Sequence, residues 1–348
     1  MYFYIGLFLI FSFFLFCYSN VKDKYLSLML KILCFLIIFI PAAIRYNIGT
    51  DYSNYVGIFN RFSLGKEMKQ EFGWRLINQF VYKNGLDVQW IFIISSFITY
   101  VVLFKTNKKD SFITLIIYFL YLYTFSYNGV RNAISISFFW YSYICLINEK
   151  KLRGFIFILI GSLFHSSALI YLPLYCCMCF VPISKKMTIF IGICCFILFS
   201  RLNLATLILE SPIFGKMKYA AYLNRVDDIS AVKIGSGLGM LLRFFCTFLL
   251  YILCDEKKCK KNEFQGMSWL FIALIATDSL SVQIFIFYRL VTIFYVAYMA
   301  MFMIVFRKSN NGLVILGRCF CLIYVIIFVF YAMLANGQNE VIPYTTVF

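Results

Sequence analysis

Residues 25–52 read YLSLMLKILCFLIIFIPAAIRYNIGTDY. The run Tyr25 to Ile44 carries one charge, Lys31, and as a helix rising 1.5 Å per residue it matches the ~30 Å hydrocarbon core of a bilayer. A segment in lipid must satisfy its own backbone groups, so a stretch of this kind commits the chain to a membrane helix. The next eight residues, Arg45-Tyr46-Asn47-Ile48-Gly49-Thr50-Asp51-Tyr52, place a cation, a carboxylate, two aromatics and a turn-forming Gly at the mouth of that span. Polar groups this concentrated read as a candidate active site. The plainer reading is a turn in which Thr50 or Asp51 caps the following helix.

Outward from this stretch the pattern repeats. With 63% hydrophobic and 14% charged residues and a mean hydropathy of +0.85, the chain lacks the polar surface of a soluble fold. The expectation is an all-α polytopic membrane protein with about twelve transmembrane helices, near 2–18, 25–44, 88–104, 111–127, 133–147, 153–164, 167–183, 187–204, 236–254, 267–283, 286–306 and 312–334. Met1 leads directly into apolar sequence, so the first run is expected to be kept as a span. Counting loops alternately puts Lys22/Lys24, Lys105/Lys108/Lys109, Lys150/Lys151/Arg153, Lys185/Lys186, Lys257/Lys258/Lys260/Lys261 and Arg307/Lys308 on one face. The positive-inside rule makes that face cytoplasmic and both termini external. The net charge of +17 is therefore a topology signal, and no nucleic-acid partner is expected. Thirteen Cys, an odd number lying mostly in apolar runs, argue against a disulfide framework. Cys176 and Cys179 have C-x-x-C spacing but no partner ligands nearby, and no metal or other cofactor is expected.

The chain then reads as one integral membrane domain, 1–348, with outer loops at 45–87 and 205–235 and an outer tail at 335–348. In the first loop Tyr52, Tyr55, Val56, Phe59 and Phe62 recur at helical spacing, and Phe72, Leu76, Ile77 and Phe80 do so again before Asn84-Gly85. Two amphipathic helices lying in the outer interface fit that pattern. Arg201, Arg243, Asp278 and Arg289 fall near the outer ends of their spans, where an ionisable group faces a cavity or a partner. Asp278 and Arg289 can pair with each other. Lys31 and Arg318, near the inner ends, can snorkel. Asp227-Asp228 reads as solvated loop.

Arg grips phosphate oxygens through a planar fork, so Arg45, Arg131 and Arg289 are candidate pyrophosphate ligands. His165, the single His of the chain, sits in Phe164-His165-Ser166-Ser167 at an outer hinge. A lone His is commonly structural, yet at this position it is also a candidate general base, with Asp51 and Glu71 as the carboxylates placed to share the task. Tyr46, Tyr52, Tyr55 and Trp74 offer flat faces for sugar rings, or else form an interfacial aromatic belt.

The series Arg45…Gly49-Thr50-Asp51-Tyr52…Tyr55, Glu71-Phe72-Gly73-Trp74, Asn128-Gly129-Val130-Arg131-Asn132-Ala133, Phe164 to Ile170, Tyr288-Arg289 and Ile342-Pro343-Tyr344 resembles the EpsG-like branch of Wzy polysaccharide polymerases. Asn132 departs from the Arg-Gln pair of many relatives. The resemblance implies an enzyme of the bacterial inner membrane acting on its periplasmic face. It would transfer a growing O-antigen or exopolysaccharide chain from undecaprenyl pyrophosphate to a hydroxyl of the next lipid-linked repeat unit. It also implies a flippase and a chain-length regulator as pathway partners, and adds Asn128 and Tyr344 to the glycan-binding candidates. Such a donor already carries its leaving group, and Arg can stabilise the developing charge without metal. A lipid-linked oligosaccharide flippase or transporter, and a membrane acyltransferase or ligase acting on the same glycans, remain as other readings. Polar residues biased to one face favour surface chemistry over a path open to both sides.

The loop count gives a direct test. In a Cys-free background, Lys66→Cys and Gln338→Cys are expected to react with an impermeant thiol reagent in intact spheroplasts, and Lys258→Cys is not. Labelling at position 258 would invert the topology.

Overall fold

The computed structural model describes residues 2–201, 237–282, 288–307, 311–331 and 337–348. Helices account for nearly all of them, with an isolated β-bridge between Arg45 and Thr346. In chain order the first elements are α1 (Tyr2–Asn20), α2 (Lys24–Ile44), α3 (Tyr52–Ser63), α4 (Phe72–Lys83), α5 (Gln89–Leu103), α6 (Lys108–Tyr118), α7 (Phe125–Asn128), α8 (Val130–Ile147), α9 (Lys151–Ser162), α10 (Tyr171–Phe180) and α11 (Lys185–Arg201). A π-helical turn, Phe119–Tyr123, joins α6 towards α7, and a 3₁₀ turn, Ser166–Ile170, leads into α10. Further helices follow at Leu238–Leu253, Lys261–Ser281, Tyr288–Phe294, Val296–Val305 and Gly312–Val329.

Each of the twelve apolar runs lands on one of these helices or on a pair of short ones. Among the described residues five helical stretches are both long and apolar enough to cross a bilayer on those grounds alone: Tyr2–Asn20, Lys24–Ile44, Val130–Ile147, Tyr288–Val305 and Gly312–Val329. The protein is thus a polytopic membrane protein, and length and composition do not by themselves supply twelve crossings. The reason is visible in α5, α9 and α10, which are shorter than a full span. Lipid contact shows on α1, α2 and Gly312–Val329, where Leu9, Phe13, Leu28, Met29, Leu316 and Ile323 stay exposed. Apolar side chains laid out this densely need hydrocarbon around them. By contrast α8 is buried along nearly its whole length.

The described residues form two compact units, Met1–Pro173 with Leu322–Phe348, and Leu174–Cys321. In the first unit, α8 packs on both α5 and α9. Gly161 permits the second contact, since a Cβ there would sit 3.2 Å from Phe138 Cβ. The two helices expected in the first outer loop are present as α3 and α4. Their apolar faces, Tyr52, Tyr55 and Phe59 with Trp74, Ile77 and Val81, join Ile91 and Phe92 of α5 and Val130 and Ile134 of α8 in one cluster. Lys108 Nζ donates to Val21 O at 2.6 Å and Ser27 Oγ at 2.7 Å, and Lys105 and Arg153 both approach the Tyr141 ring. Three basic loops therefore gather at the end of the unit where α1 finishes. At the end where α1 begins, Tyr4 OH donates to Val341 O at 3.0 Å, and the tail reaches α2 and its exit. There Tyr46 N donates to Thr345 O and Val347 N to Ile44 O.

The second unit is held by its own polar ties. Lys185 Nζ donates to Ile252 O and Cys254 O, both at 2.6 Å, and Arg307 pairs with the buried Glu263 while donating to Lys258 O at 2.7 Å. Arg243 pairs with Asp278 at 2.9 Å. This corrects the expected Asp278–Arg289 pair: helix Leu238–Leu253, not Tyr288–Phe294, brings the cation. The expected outer loop at 205–235, with Asp227-Asp228, lies outside the described residues.

One glycine fixes the exit of α2. Gly49 has φ +97°, and a Cβ there would lie 2.5 Å from Asn128 Oδ1 and 3.1 Å from the Tyr127 carbonyl oxygen. Gly49→Ala combines backbone strain with a clash and is expected to destabilise the protein by about 1–3 kcal/mol. Gly57, inside α3 with open space around it, makes the matched control. Gly57→Ala should raise stability by roughly 0.4–1 kcal/mol. Thermal melts of the two variants in detergent would separate them.

Candidate active site

Glu71 ends the loop before α4 and stands at the N-cap, with an extended backbone that turns its side chain away from its own helix. Its Oε2 accepts from Arg131 Nη1 at 2.5 Å, and its Oε1 accepts from the Ser166 N–H at 3.2 Å. Arg131 lies in the first turn of α8, and Ser166 opens the 3₁₀ turn after α9. Gly73 makes this approach possible. Its N–H donates to Leu163 O at 2.7 Å, and a Cβ would come within 2.9 Å of that oxygen and about 3.0 Å of the Phe164 ring. Burial by itself would push the Glu71 pKa up. Arg131 outweighs it, with the Ser166 N–H and His165 acting in the same sense, and the carboxyl is held below the usual carboxylate range.

Asp51 and Arg131 meet electrostatically at Tyr55. The Tyr55 hydroxyl donates to Asn128 O at 3.0 Å. Burial pushes its pKa up, Arg131 pulls it down and Asp51 pushes it up, so both charges bear on one phenol. Asp51 Oδ1 accepts from Asn54 Nδ2 at 3.1 Å. Arg131 Nε is buried and has no hydrogen-bond partner among the described residues, and the same holds for Asn128 Oδ1. Asn128 Nδ2 donates to Asn339 Oδ1 at 2.8 Å, which ties the tail to the same place.

His165 is the N-cap of the 3₁₀ turn. Its Nδ1 accepts from the Ser167 N–H at 3.2 Å and lies 2.6 Å from Ser167 Oγ. Ser167 Oγ is in turn 3.3 Å from Asn132 Oδ1. Five of the six stretches that carry the family resemblance thus join in one unit: 45–55, 71–74, 128–133, 164–170 and the tail. Arg289, in the sixth, belongs to the second unit.

Several expected roles change. Arg45 is 1% exposed. Its guanidinium donates to Ala42 O and to Tyr127 O, and stacks against the rings of Phe92 at 4.6 Å and Tyr127 at 4.8 Å. It clasps the end of α2 to α5 and α7 rather than facing a ligand. Trp74, Tyr52 and Tyr55 are core side chains, because α3 and α4 turn their aromatic faces onto α5 and α8. Tyr344 donates to Pro41 O at 2.9 Å and stacks on Phe3 at 3.8 Å. Tyr46, 54% exposed, keeps an open face for a sugar ring. Reading the sequence by itself missed Gly73, Ser166, Ser167, Asn132 and Asn339 as site residues. The Ser-Ser pair beside His165 was the available signal for two of them.

The EpsG family model matches residues 28–346. The match spans most of the chain, and the protein belongs to the EpsG family, whose role lies in exopolysaccharide biosynthesis. No curated protein and no solved structure matches it.

The Glu71–Arg131 pair has a definite pH signature. Its carboxyl titrates lower in the folded protein than in the unfolded chain. The stability it contributes is therefore present above the ordinary Glu value of about 4.3, and is lost as pH falls through the lower folded-state value. Glu71→Gln should cost about 1–3 kcal/mol at pH 7, because Arg131 loses its counter-ion. Melts of wild type and variant should differ at pH 7 and converge in strong acid; a pH-independent gap would assign the loss to packing.

Proposed function

We propose that this EpsG family member polymerises a polysaccharide on the outer face of a bacterial cytoplasmic membrane. It moves the growing glycan from undecaprenyl pyrophosphate to a hydroxyl of the next lipid-linked repeat unit. The bond from the donor's anomeric carbon to phosphate oxygen breaks, and the pyrophosphate leaves with the electron pair. The acceptor oxygen bonds to that carbon, and its proton passes to a carboxylate.

The observation that carries this reading is the meeting of Glu71, Arg131 and the 165–167 turn with Asp51 and Tyr55 at the end of the unit remote from three basic loops. Arg131 is the pyrophosphate ligand: Nη1 is steadied by Glu71, while Nε is buried and awaits an acceptor. An anionic oxygen is the partner such a group selects. Asp51 is the proton acceptor, partly exposed and, among the described residues, outside every ion pair. Glu71 is committed to Arg131 and keeps its charge, which makes it a poor base. In this reading all twelve apolar runs cross the membrane, the short ones included, and the loops at 45–87 and 205–235 and the tail lie outside. Arg289 contributes from the second unit without being required for the argument.

Cells lacking the gene are expected to make single repeat units on the outer face and no polymer. Loss of a flippase would instead leave the lipid-linked repeat on the cytoplasmic face. In a reconstituted assay Arg131→Ala should lower turnover about a hundredfold or more, with Arg131→Lys in between because it keeps charge and loses the fork. Normal polymer from Arg131→Ala would remove the assignment.

A further inference from the structure

His165 is the one imidazole of the chain, and the protein fixes which of its nitrogens carries the proton. A backbone N–H can only donate. The Ser167 N–H points at Nδ1 at 3.2 Å, so Nδ1 must present its lone pair. Ser167 Oγ, 2.6 Å from the same nitrogen, has a single hydroxyl proton. It can give that proton to Nδ1 or to Asn132 Oδ1, which lies farther off at 3.3 Å. Both choices are compatible with an acceptor Nδ1. The opposite arrangement runs Nδ1–H to Ser167 Oγ and onward to Asn132. It would drive the Nδ1 proton against the backbone N–H. In the neutral ring the proton is then on Nε2.

We propose that His165 serves this site as an Nε2–H hydrogen-bond donor to a pyrophosphate oxygen of the leaving group, and not as the base that deprotonates the acceptor hydroxyl. Ser167 and Asn132 are the positioning residues that set the tautomer. The inference rests on the polymerase reading for the identity of the anion, whereas the tautomer stands on geometry. Two charged groups face the ring, Glu71 from α4 and Arg131 from α8. They form an ion pair with each other. An approaching phosphate therefore meets one guanidinium whose charge is partly spent, and a second donor beside it adds directly to stabilising the charge that grows on the leaving oxygen. The base role needs a free imidazole lone pair, and the turn has already used it to cap its own N-terminus.

A single His makes the tautomer directly measurable. Protein labelled with ¹⁵N-histidine, in detergent at alkaline pH, gives one ring in a two-bond ¹H–¹⁵N correlation spectrum with no assignment problem. The expected pattern has a pyrrole-type Nε2 and a pyridine-type Nδ1. A pyrrole-type Nδ1 would overturn the proposal and return His165 to the candidate bases. The functional arm compares His165→Gln with His165→Ala in purified, folded protein. Gln supplies an N–H donor but takes up no proton near neutral pH. It should therefore keep transfer within about tenfold of wild type, while Ala loses about a hundredfold in kcat with little change in KM for the lipid-linked donor. Equal loss in Gln and Ala would overturn the donor role, and so would two variants that both transfer at the wild-type rate. If the wild-type protein transfers no glycan, the polymerase reading fails while the spectrum still reports the tautomer.

Discussion

The carboxylate of Glu71 is the tie on which the outer end of the first unit depends. One oxygen holds the guanidinium of Arg131 on α8 and the other holds the backbone of the hinge at Ser166. Three elements far apart in sequence are thereby fixed to one another within hydrogen-bond reach. A side chain facing its own helix could not do this. The N-cap position supplies an extended backbone, and Gly73 removes the Cβ that would hold the hinge away. The charge on Glu71 serves stability and function together. With the site empty it spares Arg131 the cost of an uncompensated charge at the edge of an apolar unit. It also orients the guanidinium, so less freedom is lost when an anion binds.

A second tie shows why residue type alone misleads at a membrane mouth. Arg45 and Arg131 both follow an apolar run or open one, both sit in recognisable stretches, and both carry a planar fork. Burial separates them. Arg45 is enclosed between two aromatic rings, with carbonyl oxygens at the end of α2 and of Tyr127 as acceptors. The last carbonyls of a helix have no intrahelical donor, and a guanidinium satisfies them while offsetting the negative end of the helix dipole. That is a structural use of Arg with its own energetic logic. It accounts for the cation at 45 without any ligand.

Much of this was legible in the sequence, for physical reasons that also set the limit. Apolar runs of bilayer length placed α1, α2 and α8, because lipid leaves the backbone no alternative to a helix. The 3.6-residue periodicity of Tyr52, Tyr55 and Phe59 gave α3, and the same signal gave α4. What these helices pack on was not legible: a stripe of aromatics looks alike whether it faces sugar, lipid or α5. The partner of Asp278 was equally hidden, since charges along several helices satisfy the same spacing and only the fold chooses Arg243. The tail is the clearest miss. Its pairing with Tyr46 and Asn128 joins residues about 300 and 200 positions apart and leaves no periodic trace.

The site that results divides its labour by environment. Glu71, held below its ordinary pKa by Arg131, keeps its charge and takes no part in proton transfer. Asp51 is the more open carboxylate, and it reaches Arg131 electrostatically through the phenol of Tyr55, whose ring is core and whose hydroxyl is bound to the Asn128 carbonyl. His165 has given its Nδ1 lone pair to the backbone. Two carboxylates and an imidazole of similar intrinsic basicity are thereby driven apart, so that one remains competent to accept a proton and the others are held to charge and hydrogen bonding. A pyrophosphate departs as a stable anion and needs no proton on leaving. Such a reaction calls for fixed donors around the leaving oxygens and one modest base near the acceptor, and that is the apportionment these side chains show.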